Sequence, residues 1–389
     1  MLKGVGSPVL ALLLLSPSAV AFISSSNGGA APFANLTFLT DPRARCMDGT
    51  LSGYYHLKSS SSAASTRWTI FLQGGGECTT QAACIDELKG PLGSSRYFPS
   101  AVDFSTNAFF GDADSGNNPA LFDAHHVDVP YCSGDLHSGT QTAPNSWGLY
   151  FSGHLVLDAL LTQLDGAGLR DATDIVFFGA SAGGIGTWLN LDWVAARYPR
   201  ARVVGAPVAG FYFYANAPYT GPGAVPNKLA NFSTEGIAEA YALWGSFVDA
   251  DCAEALAANP SACLLANYSF PYITSEVFVT EAQTDQVVLE AHDDFPGKVP
   301  YPVGSPQEAY MALWAANMTS ALAPLMAPAN ARNGVFNPAC YIHTSFDPAL
   351  PRIGGLSYIQ AFTNWYTGAG SSKLMDHCAA GTVMCGVCK

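Results

Sequence analysis

The chain has 389 residues, 49% hydrophobic and only 12% charged, with a formal net charge of −13. That composition can fill a large buried core and excludes a disordered chain. The acidic balance argues against a nucleic-acid partner, whose phosphates demand a basic face, and it fits the solubility of an exported protein.

The chain opens like a secretory leader. Lys3 precedes the apolar stretch Val9-Leu10-Ala11-Leu12-Leu13-Leu14-Leu15, and Ala19-Val20-Ala21 offers the small-x-small pattern that signal peptidase reads, so cleavage is expected after Ala21. A membrane anchor is the weaker reading, because that core is far short of the ~20 residues that span a bilayer. No later stretch is long and apolar enough for a transmembrane helix, so no stable membrane insertion is expected. Ten cysteines, an even number, favour disulfides over metal ligation in an exported chain. Neither a metal nor another cofactor is expected. Sequons at Asn35, Asn231, Asn267 and Asn317 agree with passage through a secretory path.

Residues 22–31 read as a flexible start to the mature chain. The polar loop over residues 59–65 and the loop over residues 221–226 do not separate blocks of different composition, and no repeat is present. Residues 22–389 are therefore expected to form one domain. Trp68–Leu72 is β-rich and ends at a glycine cluster, and His126–Val129 is a short strand. Leu155–Leu164 has helical spacing of apolar residues. Asp174–Phe178 is a continuous apolar run of the kind buried on both faces of a parallel sheet. A helix is expected from about Gly184 to Arg197, then strands at Arg202–Gly205 and Val277–Val279. Strands alternating with helices predict an α/β fold, with a mostly parallel central sheet flanked by helices and stapled by disulfides.

Gly179-Ala180-Ser181-Ala182-Gly183 matches G-x-S-x-G. The pattern alone is weak in a chain rich in these residues. It gains force by lying directly after a buried-type strand and before a helix, where a nucleophile elbow must be. An ordinary glycine-rich turn is the plainer alternative. A serine hydroxyl at neutral pH needs a base to take its proton. Gln73-Gly74-Gly75-Gly76-Glu77-Cys78 follows an earlier strand, and such a turn can supply backbone amides to a tetrahedral oxyanion. Gly75, Gly76 and Ala182 are the candidate donors. The alternatives are a hairpin-type loop and, with less support, a phosphate-binding loop. A disulfide between Cys78 and Cys84 would stiffen the glycine turn.

For this fold the order is Ser, then Asp or Glu, then His. Only His292, His343 and His377 follow Ser181. His292 reads as part of a polar surface segment, and His377 lies in a cysteine-rich tail. His343 follows an apolar piece beside Cys340 and is the best candidate base. Asp285, with Glu281 behind it, is the candidate acid after the strand at Val277–Val279. Asp347 comes after His343 in the chain.

Together these segments resemble the pectin acetylesterase/Notum family of secreted hydrolases, from about Cys46 to Tyr366. The resemblance rests on Cys46-Met47-Asp48-Gly49-Thr50 with Gly53-Tyr54-Tyr55, Phe71 to Cys78, Pro130-Tyr131-Cys132-Ser133-Gly134-Asp135, the turn Gly179 to Gly184 and Asn190-Leu191-Asp192. It implies an α/β-hydrolase fold and a triad of Ser181, Asp285 and His343. It also implies Cys46–Cys132 and Cys78–Cys84 disulfides, a local Cys252–Cys263 pair, and a partner for Cys340 among Cys378, Cys385 and Cys388. The implied activity is carboxylester hydrolysis, on an acetylated extracellular or cell-wall polysaccharide or on a fatty acyl group of a secreted protein. A monomer is expected. A non-catalytic binding protein on the same fold is the reading from a different class. Three departures bear on the substrate: Glu77 stands where pectin acetylesterases have tryptophan, Thr344 where they often have cysteine, and Gly76 where Notum has tryptophan. Tyr131, Trp147 and Trp314 could stack on sugars, with core packing the expected role for most of them.

Overall fold

The computed structural model describes residues 32–59, 65–105, 109–214, 218–226, 229, 231–379 and 382–388. The expected leader, the start of the mature chain and most of the loop over residues 59–65 lie outside them. The strands are β1 (Phe33–Phe38), β2 (Gly53–Leu57), β3 (Arg67–Leu72), β4 (Ala101–Asp103), β5 (His125–Val129), β6 (Asp174–Ala180), β7 (Arg202–Val208), β8 (Glu276–Thr280), β9 (Thr284–Asp285), β10 (Gly334–Asn337), β11 (Tyr341–Ile342), β12 (Arg352–Ile353), β13 (Leu356–Ser357) and β14 (Lys373–Met375). The α-helices are α1 (Gln81–Glu87), α2 (Gly153–Asp165), α3 (Ala182–Arg197), α4 (Thr234–Trp244), α5 (Ala250–Ala255), α6 (Ala266–Ser269), α7 (Pro306–Met326) and α8 (Tyr358–Thr367).

Ten strands form one sheet in the order β14-β10-β8-β7-β6-β3-β5-β2-β1-β4. From β14 to β5 all neighbours are parallel; β2, β1 and β4 extend the edge antiparallel. Successive side chains of a strand face opposite ways, so each central strand feeds two cores. Trp68, Ile70, Leu72, Ile175 and Phe177 enter one core, which α2, α3 and α7 cover through Leu160, Trp188 and Trp314. Phe71, Val176, Phe178 and Ala180 enter the other, beneath Tyr358, Phe362 and Trp365 of α8. This two-faced burial accounts for the unbroken apolar run at 174–178, and the strand continues two residues further, through Ala180.

Tyr131 and Trp314 are core residues, 1% and 2% exposed, so neither reaches a sugar. The Trp314 indole N–H donates to Asp293 Oδ2 at 2.8 Å. Trp147 is half-buried. Five disulfides staple the fold: Cys46–Cys132, Cys78–Cys84, Cys252–Cys263, Cys340–Cys388 and Cys378–Cys385. Among the described residues no helix is long and apolar enough to cross a membrane.

Candidate active site

The sheet presents its C-terminal edge where β6 runs into α3. Ser181 occupies that turn at φ 58° and ψ −125°, backbone that a side chain rarely adopts and that only surrounding structure can enforce. Its amide donates to the Val208 carbonyl at 3.0 Å, tying the turn to β7. The flanking glycines are sterically required: a side chain on Gly179 would collide with the Gly183 carbonyl, and one on Gly183 with the Leu72 carbonyl. Ala182 opens α3, so its N–H is among the first helix amides, which have no partner within the helix. Developing negative charge is favoured at that helix end.

The glycine turn after β3 packs directly on this elbow. A side chain at Gly74 would strike the Ala180 carbonyl and come within 2.8 Å of Ser181 Cβ. Gly75 lies against Leu92 and Tyr131, and Gly76, at φ 75°, against Leu229. Three long-range hydrogen bonds hold the turn. The His137 Nε2–H donates to the Gln73 carbonyl at 2.9 Å, the Tyr131 amide to Gln73 Oε1 at 3.2 Å, and the Trp244 indole to the Cys78 carbonyl at 3.0 Å. The Cys78–Cys84 disulfide closes the far end. No local pattern singles out His137, although it lies just past the segment ending at Asp135.

The other two groups come from loops after β8 and β10. Those loops zip together in a short parallel ladder, β9 against β11, which sets Asp285 beside Ile342. Thr284 reinforces it, its hydroxyl donating to the Cys340 carbonyl at 2.9 Å. His343, the next residue, bridges Asp285 and Ser181: its Nδ1 is 2.7 Å from Asp285 Oδ2 and its Nε2 is 2.8 Å from Ser181 Oγ. An ionised carboxylate only accepts, so Nδ1 carries the proton and Nε2 is left to accept from the serine hydroxyl. Asp285 is fully buried, and its second oxygen accepts the Val288 amide at 3.0 Å.

Several further ionisable groups are buried. Glu281 is fully buried next to Asp285. Burial first, and the Asp285 charge second, hold its carboxyl well above the ordinary carboxylate range. His292 is 3% exposed, not the surface residue its polar neighbours suggest. Its ring stacks on Phe232 at 4.0 Å, and Nδ1 lies 3.9 Å from Glu77 Oε1. Glu77 is likewise buried, at 4% exposure, where a polar string read locally gave no sign of an interior partner. His377 is exposed.

The parallel sheet, its helical cover and the strand–turn–helix elbow define an α/β-hydrolase-like protein. The chain belongs to the pectinacetylesterase family, whose sequence model matches residues 29–385. This bears out the resemblance read from its motifs. Pectin acetylesterase 5 of Arabidopsis thaliana is 35% identical over 172 residues, 43% of this chain and 39% of that one. The palmitoleoyl-protein carboxylesterase NOTUM of Homo sapiens is 28% identical over 317 residues, 79% of this chain and 60% of that one. The chain thus spans between about two fifths and three fifths of the length of these relatives. The crystal structure of the Wnt deacylase Notum from Drosophila superposes with a TM-score of 0.77 at 24% identity, covering 92% of this chain and 99% of that one, and so shares its fold.

Proposed function

We propose that the chain is a secreted serine carboxylester hydrolase that deacetylates an extracellular or cell-wall polysaccharide such as pectin. The observation that carries the reading is the hydrogen-bonded row from Ser181 Oγ through His343 to Asp285, with steps of 2.8 and 2.7 Å. In this reading His343 Nε2 takes the Ser181 proton as Oγ attacks the ester carbonyl. Asp285 fixes the Nδ1–H tautomer and stabilises the imidazolium that forms. The amides of Gly75, Gly76 and Ala182 receive the oxyanion, in a site where such donors are each worth about a hundredfold or more in rate. The imidazolium protonates the departing sugar oxygen, leaving an acetyl group on Ser181. A water then attacks the acyl carbonyl as it gives its proton to His343, and the imidazolium returns that proton to Ser181 Oγ as acetate leaves.

The row is complete within a single chain, which supports a monomeric enzyme. Five disulfides support an oxidising, extracellular destination.

A second reading has its own support. The human Notum relative aligns with 79% of this chain, against 43% for pectin acetylesterase 5. By analogy the chain would remove a fatty acyl group from a secreted protein. One comparison separates the two: acetate release from acetylated pectin, set against hydrolysis of esters of increasing acyl length. Turnover of acetyl esters that falls steeply with chain length supports the acetylesterase; preference for long acyl chains overturns it in favour of the second reading.

A further inference from the structure

Glu281 is a full carboxyl group sealed into the protein with no use in the mechanism above. It lies in the tight segment between β8 and β9, at zero exposure, four residues before the equally buried Asp285. Its side chain is held from two sides: Oε2 accepts the Phe211 amide at 2.8 Å and Oε1 accepts its neighbour's amide, Ala282, at 3.2 Å. Its own carbonyl accepts the Asn337 side-chain amide at 2.6 Å, so the backbone is fixed as well. The carboxyl also has the equally buried Asp285 side chain as a hydrogen-bonding neighbour.

Among the described residues no compensating cation faces Glu281. From its own segment there is Asp285. From the stretch after β7 there is Tyr212, whose hydroxyl donates to the Ala209 carbonyl at 2.6 Å and lies close to both acids. From β10 there is neutral Asn337. The imidazole of His343 lies beyond Asp285 and already spends its Nδ1–H on it. Two carboxylates in contact inside a protein cannot both be ionised, since neither water nor a counter-charge screens them. A single proton shared by the pair relieves that repulsion.

Chemistry decides which carboxyl keeps it. Asp285 accepts two N–H groups, from His343 and Val288. One of those donors becomes a cation each time Ser181 is deprotonated, so ionisation is stabilised on that side. We propose that Glu281 is a positioning residue for the triad: a neutral carboxylic acid whose O–H donates to Asp285, anchoring the aspartate and fixing how strongly it draws on the His343 N–H. The inference rests on the triad reading above and deepens it. The shared proton also sets a working range. Once Glu281 ionises at alkaline pH, a second negative charge appears beside Asp285, the anchoring hydrogen bond is lost and Asp285 is repelled from its place.

The test is a pH profile of kcat on p-nitrophenyl acetate for the wild-type protein, Glu281→Gln and Glu281→Ala, with Ser181→Ala as control. A glutamine amide can donate to Asp285 through its NH2 and accept the Phe211 amide through its oxygen, giving up only the longer contact with the Ala282 amide, and it cannot ionise. Glu281→Gln should stay within about twofold of wild type at pH 7 and lack the alkaline fall in kcat that the proposal expects of wild type. Glu281→Ala should lose tenfold or more at pH 7. The wild-type minus Glu281→Gln infrared difference at pH 7 should show one protonated-carboxyl band, which the subtraction separates from that of Glu87, a readout that needs neither turnover nor the alanine variant. The proposal is overturned if that band is missing from the difference, or if Glu281→Gln is as impaired as Glu281→Ala. It is also overturned if the wild-type and glutamine profiles coincide on the alkaline side. Failure of the triad reading looks different: Ser181→Ala would then keep its turnover, whatever Glu281 does.

Discussion

The imidazole of His137 donates to the main-chain carbonyl of Gln73 across 2.9 Å, linking the segment after β5 to the glycine turn beside Ser181. The histidine is buried, and burial lowers it from its ordinary 6.5 to about 4, so the ring stays neutral across the physiological range. A depressed value means that the folded state resists protonation. The stability it contributes is complete above pH 6.5 and is lost as pH falls toward 4. His137→Gln keeps a donor near the Nε2 position and should retain most activity while flattening this acid loss, as read by thermal melts at pH 4.5 and 7. His137→Leu should lower kcat about tenfold by freeing the Gln73 carbonyl. Equal activity of the leucine variant would remove any role for this bond.

Ser181→Ala should abolish turnover, with a loss of about 10⁴-fold or more in kcat, because removing the nucleophile from a triad leaves only what the remaining donors and binding provide. Its folding should be unchanged. Covalent labelling by a fluorophosphonate, followed by peptide mapping, should mark Ser181 and no other serine.

Gly74→Ala probes the contact between the two turns. The added methyl meets the Ala180 carbonyl and Ser181 Cβ, so either the elbow or the glycine turn must shift. A displacement near 1 Å at such a site can reduce rate about a hundredfold. We expect a fall of that order in kcat, with KM for a small ester little changed.

The disulfides should divide stability from activity. Cys46–Cys132 closes 86 residues and Cys78–Cys84 only six. Loop-closure entropy predicts losses of about 4–5 and about 2 kcal/mol on removing them. Only the shorter one is built into the glycine turn. Paired replacement of Cys78 and Cys84 by alanine should therefore cost less in melting temperature and more in kcat than replacement of Cys46 and Cys132.

Glu87 gives an alkaline counterpart. Its Oε2 is buried without a partner among the described residues, and its carboxyl is pushed up to about 8 by burial, then by the charges of Glu77 and Asp86. A raised carboxyl favours the folded state fully below its unfolded value, and that contribution disappears as pH rises through 8. Glu87→Gln cannot ionise. It should melt above wild type at pH 9 and close to it at pH 5.

Ser181 was legible because three signals coincide on one stretch: an apolar run, a glycine-flanked serine and a helix. His343 and Asp285 could be selected only by chain order and by resemblance. The ladder that joins them, β9 with β11, is two residues long on each side, too short to leave any periodicity. The antiparallel edge was equally hidden, since three adjacent residues of β2 are buried and no alternation survives. Nothing in residues 306–326 announced α7, whose apolar residues are spread around the helix and whose last turn contains Pro324. The burial of His292 and Glu77 is not legible locally for one reason: whether a polar residue is interior depends on distant segments, here Phe232 and the glycine turn.

Ser181, Asp285 and His343 follow β6, β8 and β10, and β7 lies between the first two of these strands. No contiguous fragment shorter than residues 181–343 contains all three groups, and one that also keeps β6 must begin at residue 174. A newly made chain would therefore show no turnover until four neighbouring strands had paired in register. A fluorogenic ester, hydrolysed during refolding, would time the closing of that half of the sheet, and a lag behind the recovery of secondary structure would measure how late it closes.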